Sequence, residues 1–304
     1  MERRVCPGCG HPLFKVLGGR GAAFDTPVGE SNFRQPEYDV RECNQCGLYY
    51  KSHILNDEEL SKYYQQVDFS KWDIGTLFPS EVALLEVLAQ LPTGSRILDY
   101  GCSTGRLLSH LTNGYGRFGV EANQDAAYIA TSKGITMLSD TDLAEASQPF
   151  NAIVLSDVFE HLLEPTKTLR GLCKSLSDSG LLILSTGNSM AKACQQDIAS
   201  FWYFRTPEHL CMFNQKNADY LARELNLRLL EWKELSHYDF NLTERLRQHA
   251  QNFAYWKFHG SPDAFWTSIL KFTPGMKKAR NWPVPPALTC TKDHVLAVFQ
   301  KRAK

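Results

Sequence analysis

The chain has 304 residues, 43% of them hydrophobic, with 33 Lys/Arg against 33 Asp/Glu and nine cysteines. That length supports a well-buried core larger than one mean domain, and a net charge of zero argues against a general nucleic-acid binder. No uninterrupted apolar run of about 18 residues occurs, so no membrane span is expected; Met1-Glu2-Arg3-Arg4 lacks the apolar segment of a signal peptide. The cysteines are read as reduced thiols and the expected location is cytoplasmic.

The first motif is a pair of knuckles, Cys6-Pro-Gly-Cys9-Gly10 and Cys43-Asn-Gln-Cys46-Gly47. In each, the turn lets two thiolates reach one ion, and together the two complete a tetrahedral four-sulfur site. Cys6, Cys9, Cys43 and Cys46 are the predicted ligands of a structural zinc in a zinc-ribbon-like module over residues 1–55. The 33 residues between Cys9 and Cys43 exceed a minimal ribbon, so that loop has its own conformation. A closed four-thiolate site leaves no open coordination position and is assigned no catalysis.

Residues 56–79 read as a linker or lid. Asn56 is the expected N-cap of a helix, with Glu59 three residues on completing a capping box. Tyr63, Tyr64, Phe69, Trp72 and Phe78 either pack the module on the main domain or form a lid.

From residue 80 to 240 the pattern alternates. Helices are predicted at Ser80–Leu91, Arg106–Thr112, Gln124–Ser132, Pro165–Ser177 and Gln215–Leu225. Strands are predicted at Arg96–Tyr100, Arg117–Glu121, Ile135–Leu138, Ala152–Ser156 and Leu181–Ser185. Strands separated by helices imply a parallel sheet covered on both faces. Arg96–Arg106 reads R-I-L-D-Y-G-C-S-T-G-R, a buried strand turning through a glycine loop into a helix. Such a turn aims free backbone N–H groups at a ligand. Glu121 follows Asp99 by 22 residues and ends the next strand, where an acid accepts hydrogen bonds from ribose hydroxyls.

Ile97–Leu108 resembles motif I of the class I S-adenosylmethionine (SAM) dependent methyltransferases, D-x-G-x-G-x-G, through Asp99, Gly101 and Gly105. Ser103 replaces the middle glycine, a departure that tightens the loop. Phe150–Pro165, F-N-A-I-V-L-S-D-V-F-E-H-L-L-E-P, resembles the fourth-strand motif of the same superfamily, closest to the small-molecule branch with an E-H pair. The resemblance covers about Ser80 to Leu235. It implies an α/β, Rossmann-like, seven-stranded doubly wound sheet, with Leu227–Glu234 and His294–Lys301 as an antiparallel edge pair. It also implies SAM as cofactor. The Gly101–Gly105 loop, Cys102 included, would hold the methionine part and Glu121 the ribose. Asp140 and Thr141 would lie near the adenine, with a plain helix N-cap as the alternative there, and Asp157 near the methyl group.

Methyl transfer to a hydroxyl or carbon acid needs a base near neutral pH. His161, just after the fourth strand, and His209, in the aromatic loop Phe201–Phe213, are the two candidates. His161 has the alternative of bonding the cofactor loop or capping a helix. Tyr203 and Arg205 in the aromatic loop are placed to meet an anionic substrate. Residues 241–289 read as a helical insertion, aromatic and basic, and 290–304 as the last strand. From Phe240 onward there are 11 Lys/Arg against 3 Asp/Glu, an excess of about +8. The insertion's aromatics are expected to pack on the main domain; binding of a phosphate-bearing or lipid-linked substrate, peripheral membrane contact and homo-oligomerisation stay open.

The expected function is methylation of a small molecule. Knuckles joined to this fold resemble the sugar C-methyltransferases of deoxysugar and surface-polysaccharide pathways, which implies a nucleotide sugar or glycan intermediate, methylated at carbon or oxygen. Two rivals stand beside it. One is an rRNA or tRNA methyltransferase, against which Ser156-Asp157-Val158-Phe159 stands in place of an N/D-P-P-[YF] tetrapeptide. The other is a non-catalytic scaffold in a glycan-assembly complex, binding SAM or nothing at all.

Overall fold

The structure is a computed structural model, and it describes all residues except 22–23, 29–30, 70–74, 113, 146–147, 261–263, 274–275 and 304. Trp72, one of the expected lid or packing aromatics, lies outside the described residues. Five strands open the chain: β1 (Phe14–Gly21), β2 (Phe24–Val28), β3 (Ser31–Gln35), β4 (Tyr38–Cys43) and β5 (Tyr49–Lys51). Helix α1 (Asp57–Gln66) begins at the expected capping box: Asn56 accepts from the Glu59 N–H, and the Glu59 carboxylate accepts from Asn56. Then follow α2 (Pro79–Leu88), β6 (Arg96–Tyr100), α3 (Arg106–Ser109), β7 (Gly116–Val120), α4 (Gln124–Ser132), β8 (Thr136–Met137), α5 (Asp140–Ala144), β9 (Phe150–Ser156), α6 (Pro165–Lys174) and β10 (Leu176–Gly187). The chain closes with α7 (Lys192–Gln196), β11 (Cys211–Met212), α8 (Gln215–Glu224), β12 (Leu227–Leu235), α9 (Leu242–His259), α10 (Ala264–Phe272) and β13 (His294–Lys301).

Helix α3 stops short of Thr112. Its Ser109 hydroxyl donates back to the Arg106 carbonyl at 2.7 Å, and the N–H groups of His110 and Leu111 bond only three residues back. Such local bonding competes with the helix ladder.

The main sheet has seven strands in the order β12-β13-β10-β9-β6-β7-β8. Strands β6 to β10 are parallel to one another, and β13 lies antiparallel to both β10 and β12. Alternate residues serve opposite faces. Ile153, Leu155, Leu182, Leu184, Val295 and Ala297 join one core, whereas Val154, Ile183, Leu296 and Val298 join the other with Leu84, Leu88 and Leu108. Both faces are buried, which is why these strands read as continuous apolar runs.

Residues 1–55 are not a free-standing module. Their sheet, β1-β4-β5-β11, takes its last strand from the segment after β10, with Tyr50 paired to Cys211. Cys6, Cys43, Cys46, Leu48 and Tyr50 sit in the same core as Ile153 and Phe159.

The insertion is helical, as expected, but its aromatics divide. Ala254, Tyr255, Leu270 and Ala279 make a small core of their own, with Trp256 and Trp282 against it. Phe265 and Phe272 instead stand 66% and 86% exposed, so the expectation that these aromatics pack on the main domain does not hold for them.

Candidate active site

The carboxyl ends of β6, β7, β9 and β10 meet along one edge of the sheet, where ligands of open α/β folds bind. Because β13 runs antiparallel, it begins at this same edge, with His294 paired to Gly187, and β12 ends there.

At one end of the edge lies the glycine loop. The N–H groups of Gly101 and Cys102 bond the Val120 carbonyl at 2.8 and 3.1 Å. Gly101 has φ +83°, and a Cβ there would lie 2.5 Å from a Val158 methyl, so only glycine fits. Ser103, the substitute for the middle glycine, adopts φ +49°. Its N–H donates to Glu121 at 2.9 Å, and the other Glu121 oxygen accepts from Asn123 at 2.8 Å. Asn123 in turn donates to the Tyr64 carbonyl at 3.0 Å, which ties α1 to the loop. Asp99 is buried, and one of its oxygens has no hydrogen-bond partner among the described residues. Burial, then the charges of Glu81 and Glu121, push its carboxyl up to about 8. Burial likewise pushes the Cys102 thiol up, so Cys102 packs as a neutral group beside Gly119.

This edge fits SAM by its donor set. An unpartnered buried carboxyl oxygen, a loop that admits no Cβ at Gly101 and an acid at the end of β7 stand together. Asp140 and Thr141 occupy the exposed first turn of α5, whose cap is Ser139, reciprocated by Asp142.

Next to the loop is a chain of polar side chains. Asp157, at the end of β9, has φ +51°, a conformation that residues other than glycine adopt at a cost and that clusters at functional sites. The Tyr203 hydroxyl contacts Asp157 at 2.8 Å and also contacts Glu160 very closely. The second Glu160 oxygen accepts from Thr186 at 2.7 Å. Burial, then the charge of Asp157, holds the Glu160 carboxyl up to about 7. Burial alone would raise Asp157 too, but the hydrogen bond and charge of His294, with His237 and Tyr203, outweigh it and keep that carboxyl below the usual range. The one Tyr203 hydroxyl thus bridges both carboxyls, of which Asp157 is the more acidic and Glu160 the less.

His294 is fully buried. Its Nε2 lies 3.2 Å from Asp157 and its Nδ1 3.5 Å from Asp293. Burial opposes its charge, but the two carboxylates prevail and raise it to about 10. The His237 ring lies against it, tilted by 36° with centroids 4.2 Å apart, and burial, then His294, lowers His237 to about 3.

The two predicted bases are neighbours, with ring centroids 4.7 Å apart. The His161 Nδ1 meets the Tyr64 hydroxyl at 2.9 Å, and its side chain is 18% exposed. His209 is 9% exposed, and its Nδ1 bonds the Tyr203 carbonyl closely. Burial lowers both imidazoles below their ordinary value, His209 more strongly. Arg205, with Trp202, Thr206 and Glu208, lines a surface pocket of about 130 Å³.

The sequence reading put Asp99, Gly101, Glu121, Asp140, Asp157, Glu160 and His161 on one edge and Tyr203 and His209 in the loop after the fifth strand; in the structure Tyr203 and His209 come against Asp157, Glu160 and His161. The sequence reading missed His237, Asp293 and His294. The available signal was the polar pair Asp293-His294 immediately before an apolar strand, since an antiparallel strand beside a parallel sheet begins where its neighbours end.

The four knuckle thiols cluster among themselves. Cys6 lies 3.4 Å from Cys46 and Cys9 3.4 Å from Cys43, sulfur to sulfur, and the four atoms lie within 4.8 Å of one another. These separations exceed a disulfide and suit four sulfurs about 2.3 Å from one ion. The Gly8 and Cys46 N–H groups aim at Cys6 and Cys43 sulfurs, and Gly10 and Gly47 take positive φ after each knuckle.

The methyltransferase domain family matches residues 79–231, half of the chain, and the chain belongs to it. Two curated relatives, both named ubiquinone biosynthesis O-methyltransferase, are similar over 110 residues. One is from Caulobacter sp. (strain K31), at 32% identity, and the other from Caulobacter vibrioides, at 28%. Each match covers 33% of this chain and 44% of the relative, so the chain spans under half the length of these relatives. The crystal structure of the YcgJ protein from Bacillus subtilis superposes with a TM-score of 0.50 at 15% identity, covering 74% of this chain and 99% of that one. It shares the fold.

Proposed function

We propose that the chain is a SAM-dependent methyltransferase acting on a small molecule. The observation that carries this is the juxtaposition of the Gly101–Gly105 loop and Glu121 with the Asp157–Tyr203–Glu160 network and His161 on one sheet edge. The likeness to ubiquinone O-methyltransferases supports a small acceptor and an oxygen nucleophile. Bound SAM supplies the electrophilic methyl group and its own leaving group. The protein's part is to orient the acceptor and take its proton as the new bond forms.

His161 is the base we assign. It is neutral near pH 7 and reaches the solvent side of the edge. With Nδ1–H on the Tyr64 oxygen, Nε2 is the nitrogen left to accept a proton; it lies 3.8 Å from Glu160, and His209 flanks the ring. Tyr203 holds Asp157 and Glu160 apart and in place. His209 holds Tyr203 through the backbone and acts as a positioning residue.

For the acceptor we propose a nucleotide sugar or glycan intermediate. Arg205 beside the pocket of Trp202 and Glu208 supplies a cation for a phosphate at the mouth of the site. For the knuckles we propose structural zinc, which the donor set and the sulfur spacing support. The test is calorimetric titration of SAM into the full chain, with NAD as control, followed by methyl transfer to candidate nucleotide sugars. Micromolar SAM binding without NAD binding is expected; no SAM binding by folded protein would leave the scaffold reading in its place.

A further inference from the structure

Asp157, His237 and His294 each offer one ligand atom, and these atoms lie within 4.8 Å of one another. Two imidazoles and one carboxylate are the donor set of transition-metal sites that keep open positions. Asp157 Oδ1 and His294 Nε2 are 3.2 Å apart. Two ligand atoms each about 2.1 Å from a shared ion, at an angle of roughly 90–110°, are about 3.0–3.4 Å apart.

The surroundings match a metal site as well. A metal-bound histidine usually gives its other ring N–H to a carboxylate that fixes its orientation. His294 does so: with Nε2 toward Asp157, its Nδ1 faces Asp293, and both side chains are fully buried. The same Asp293 oxygen accepts the backbone N–H of His237 at 2.8 Å, so one carboxylate holds the His294 ring and the main chain at His237. His237 is 9% exposed, and its Nδ1 has no hydrogen-bond partner among the described residues. Buried polar atoms are rarely left so. Asp157 is 30% exposed at its side chain, which leaves one side of the triad open.

We propose that Asp157, His237 and His294 bind a divalent transition-metal ion such as Zn²⁺, with Asp293 as the orienting carboxylate. The open positions face the acceptor side of the edge, where the ion takes a hydroxyl oxygen of the acceptor and makes it more acidic. The ion site stands independently of the methyl-transfer reading; only its role toward an acceptor rests on that reading. The neighbouring group of Glu160, His161 and His209 fits an ion less well. Both Glu160 oxygens are engaged, by Tyr203 and Thr186, whereas at Asp157 the bonds from Tyr203 and His294 fall on one oxygen, Oδ1.

The experiment is equilibrium dialysis of the full chain against Zn²⁺, with metal content read by mass spectrometry, and against Co²⁺ with optical spectra. The wild-type chain is expected to hold two ions. Cys6→Ser/Cys9→Ser should remove one, together with the thiolate-to-cobalt charge-transfer band. Asp157→Asn and His237→Ala should each remove the other while that band stays at full strength, which also reports that the variants are folded. Asp293→Asn should weaken the second ion by about 10- to 100-fold. A wild-type chain with one ion, lost in the cysteine variant, overturns the proposal. So does a second ion that survives both Asp157→Asn and His237→Ala, or that is lost only with His161→Gln. Metal content is read without SAM, so failure of methyl transfer leaves this result intact.

Discussion

The Glu121 carboxylate accepts the backbone N–H of Ser103 across 2.9 Å, tying the end of β7 to the glycine loop at the end of β6. Its other oxygen holds Asn123, the cap of α4. The acid therefore shapes the loop as well as offering lone pairs to a ribose. Charge-assisted hydrogen bonds of this kind are worth about 1.5–3 kcal/mol each. Glu121→Ala is expected to weaken SAM affinity by about 10- to 100-fold in calorimetry, with Glu121→Gln less affected. Unchanged affinity in Glu121→Ala would remove this residue from the cofactor site.

Tyr203 joins Asp157 and Glu160 through one hydroxyl. Tyr203→Phe leaves the buried Glu160 carboxyl and the partly exposed Asp157 without it, at a cost of about 1–3 kcal/mol of stability by chemical denaturation. It should lower kcat by more than about tenfold with little change in the KM for SAM. A kcat that holds while stability drops would make Tyr203 purely structural.

The two histidines separate by role. His161→Gln is expected to reduce kcat by about 100-fold or more, and the remaining activity should lose the pH dependence that His161 imposes. His209→Gln should act through Tyr203, so its effect should nearly vanish when combined with Tyr203→Phe. If instead His209→Gln alone abolishes turnover and His161→Gln does not, the base is His209.

Metal removal from the knuckles should reach well beyond them. Cys6, Cys43 and Cys46 share a core with Leu48, Tyr50 and the strands of the main sheet, and Asn214 and Asn217 donate to the carbonyls of Gly47 and Cys46 at 2.7 and 3.1 Å. Structural zinc contributes to folding outright. A strong chelator should therefore lower the melting temperature of the whole chain by more than about 10 °C, not merely loosen residues 1–55. A melting curve indifferent to chelation would show that the thiols hold no ion that matters.

Lys51 is fully buried on β5, with its ammonium donating to the Thr206 carbonyl at 2.5 Å and lying over the Tyr38 ring at 4.8 Å. Burial lowers it from 10.5 to about 7. Between pH 7 and about 10 the unfolded chain binds a proton that the native chain has released, so native stability rises with pH across that window. Relative to Lys51→Met, the wild-type unfolding free energy should rise by on the order of 3–4 kcal/mol from pH 7 to pH 10. A difference that stays flat with pH would mean the ammonium remains charged in the native state.

Much of this protein was written in local sequence. The Asn56–Glu59 box is set by contacts within a few residues, and the Asp99–Gly105 turn and the apolar runs of β9 and β13 are legible in residue type and spacing even though Val120, Glu121 and the two cores hold them in place. The knuckles belong to the same class, because two thiols three residues apart already share a turn. Tertiary structure decided what long-range pairing decides. Cys211 completes the sheet of residues 1–55 because β11 returns across the main core to Tyr50. His237 and His294 reach Asp157 because β13 runs antiparallel between β10 and β12, which brings the end of one distant strand and the start of another to the same edge. Residues separated by 137 positions in sequence carry no local pattern that announces their contact. The register of the sheet brings them together.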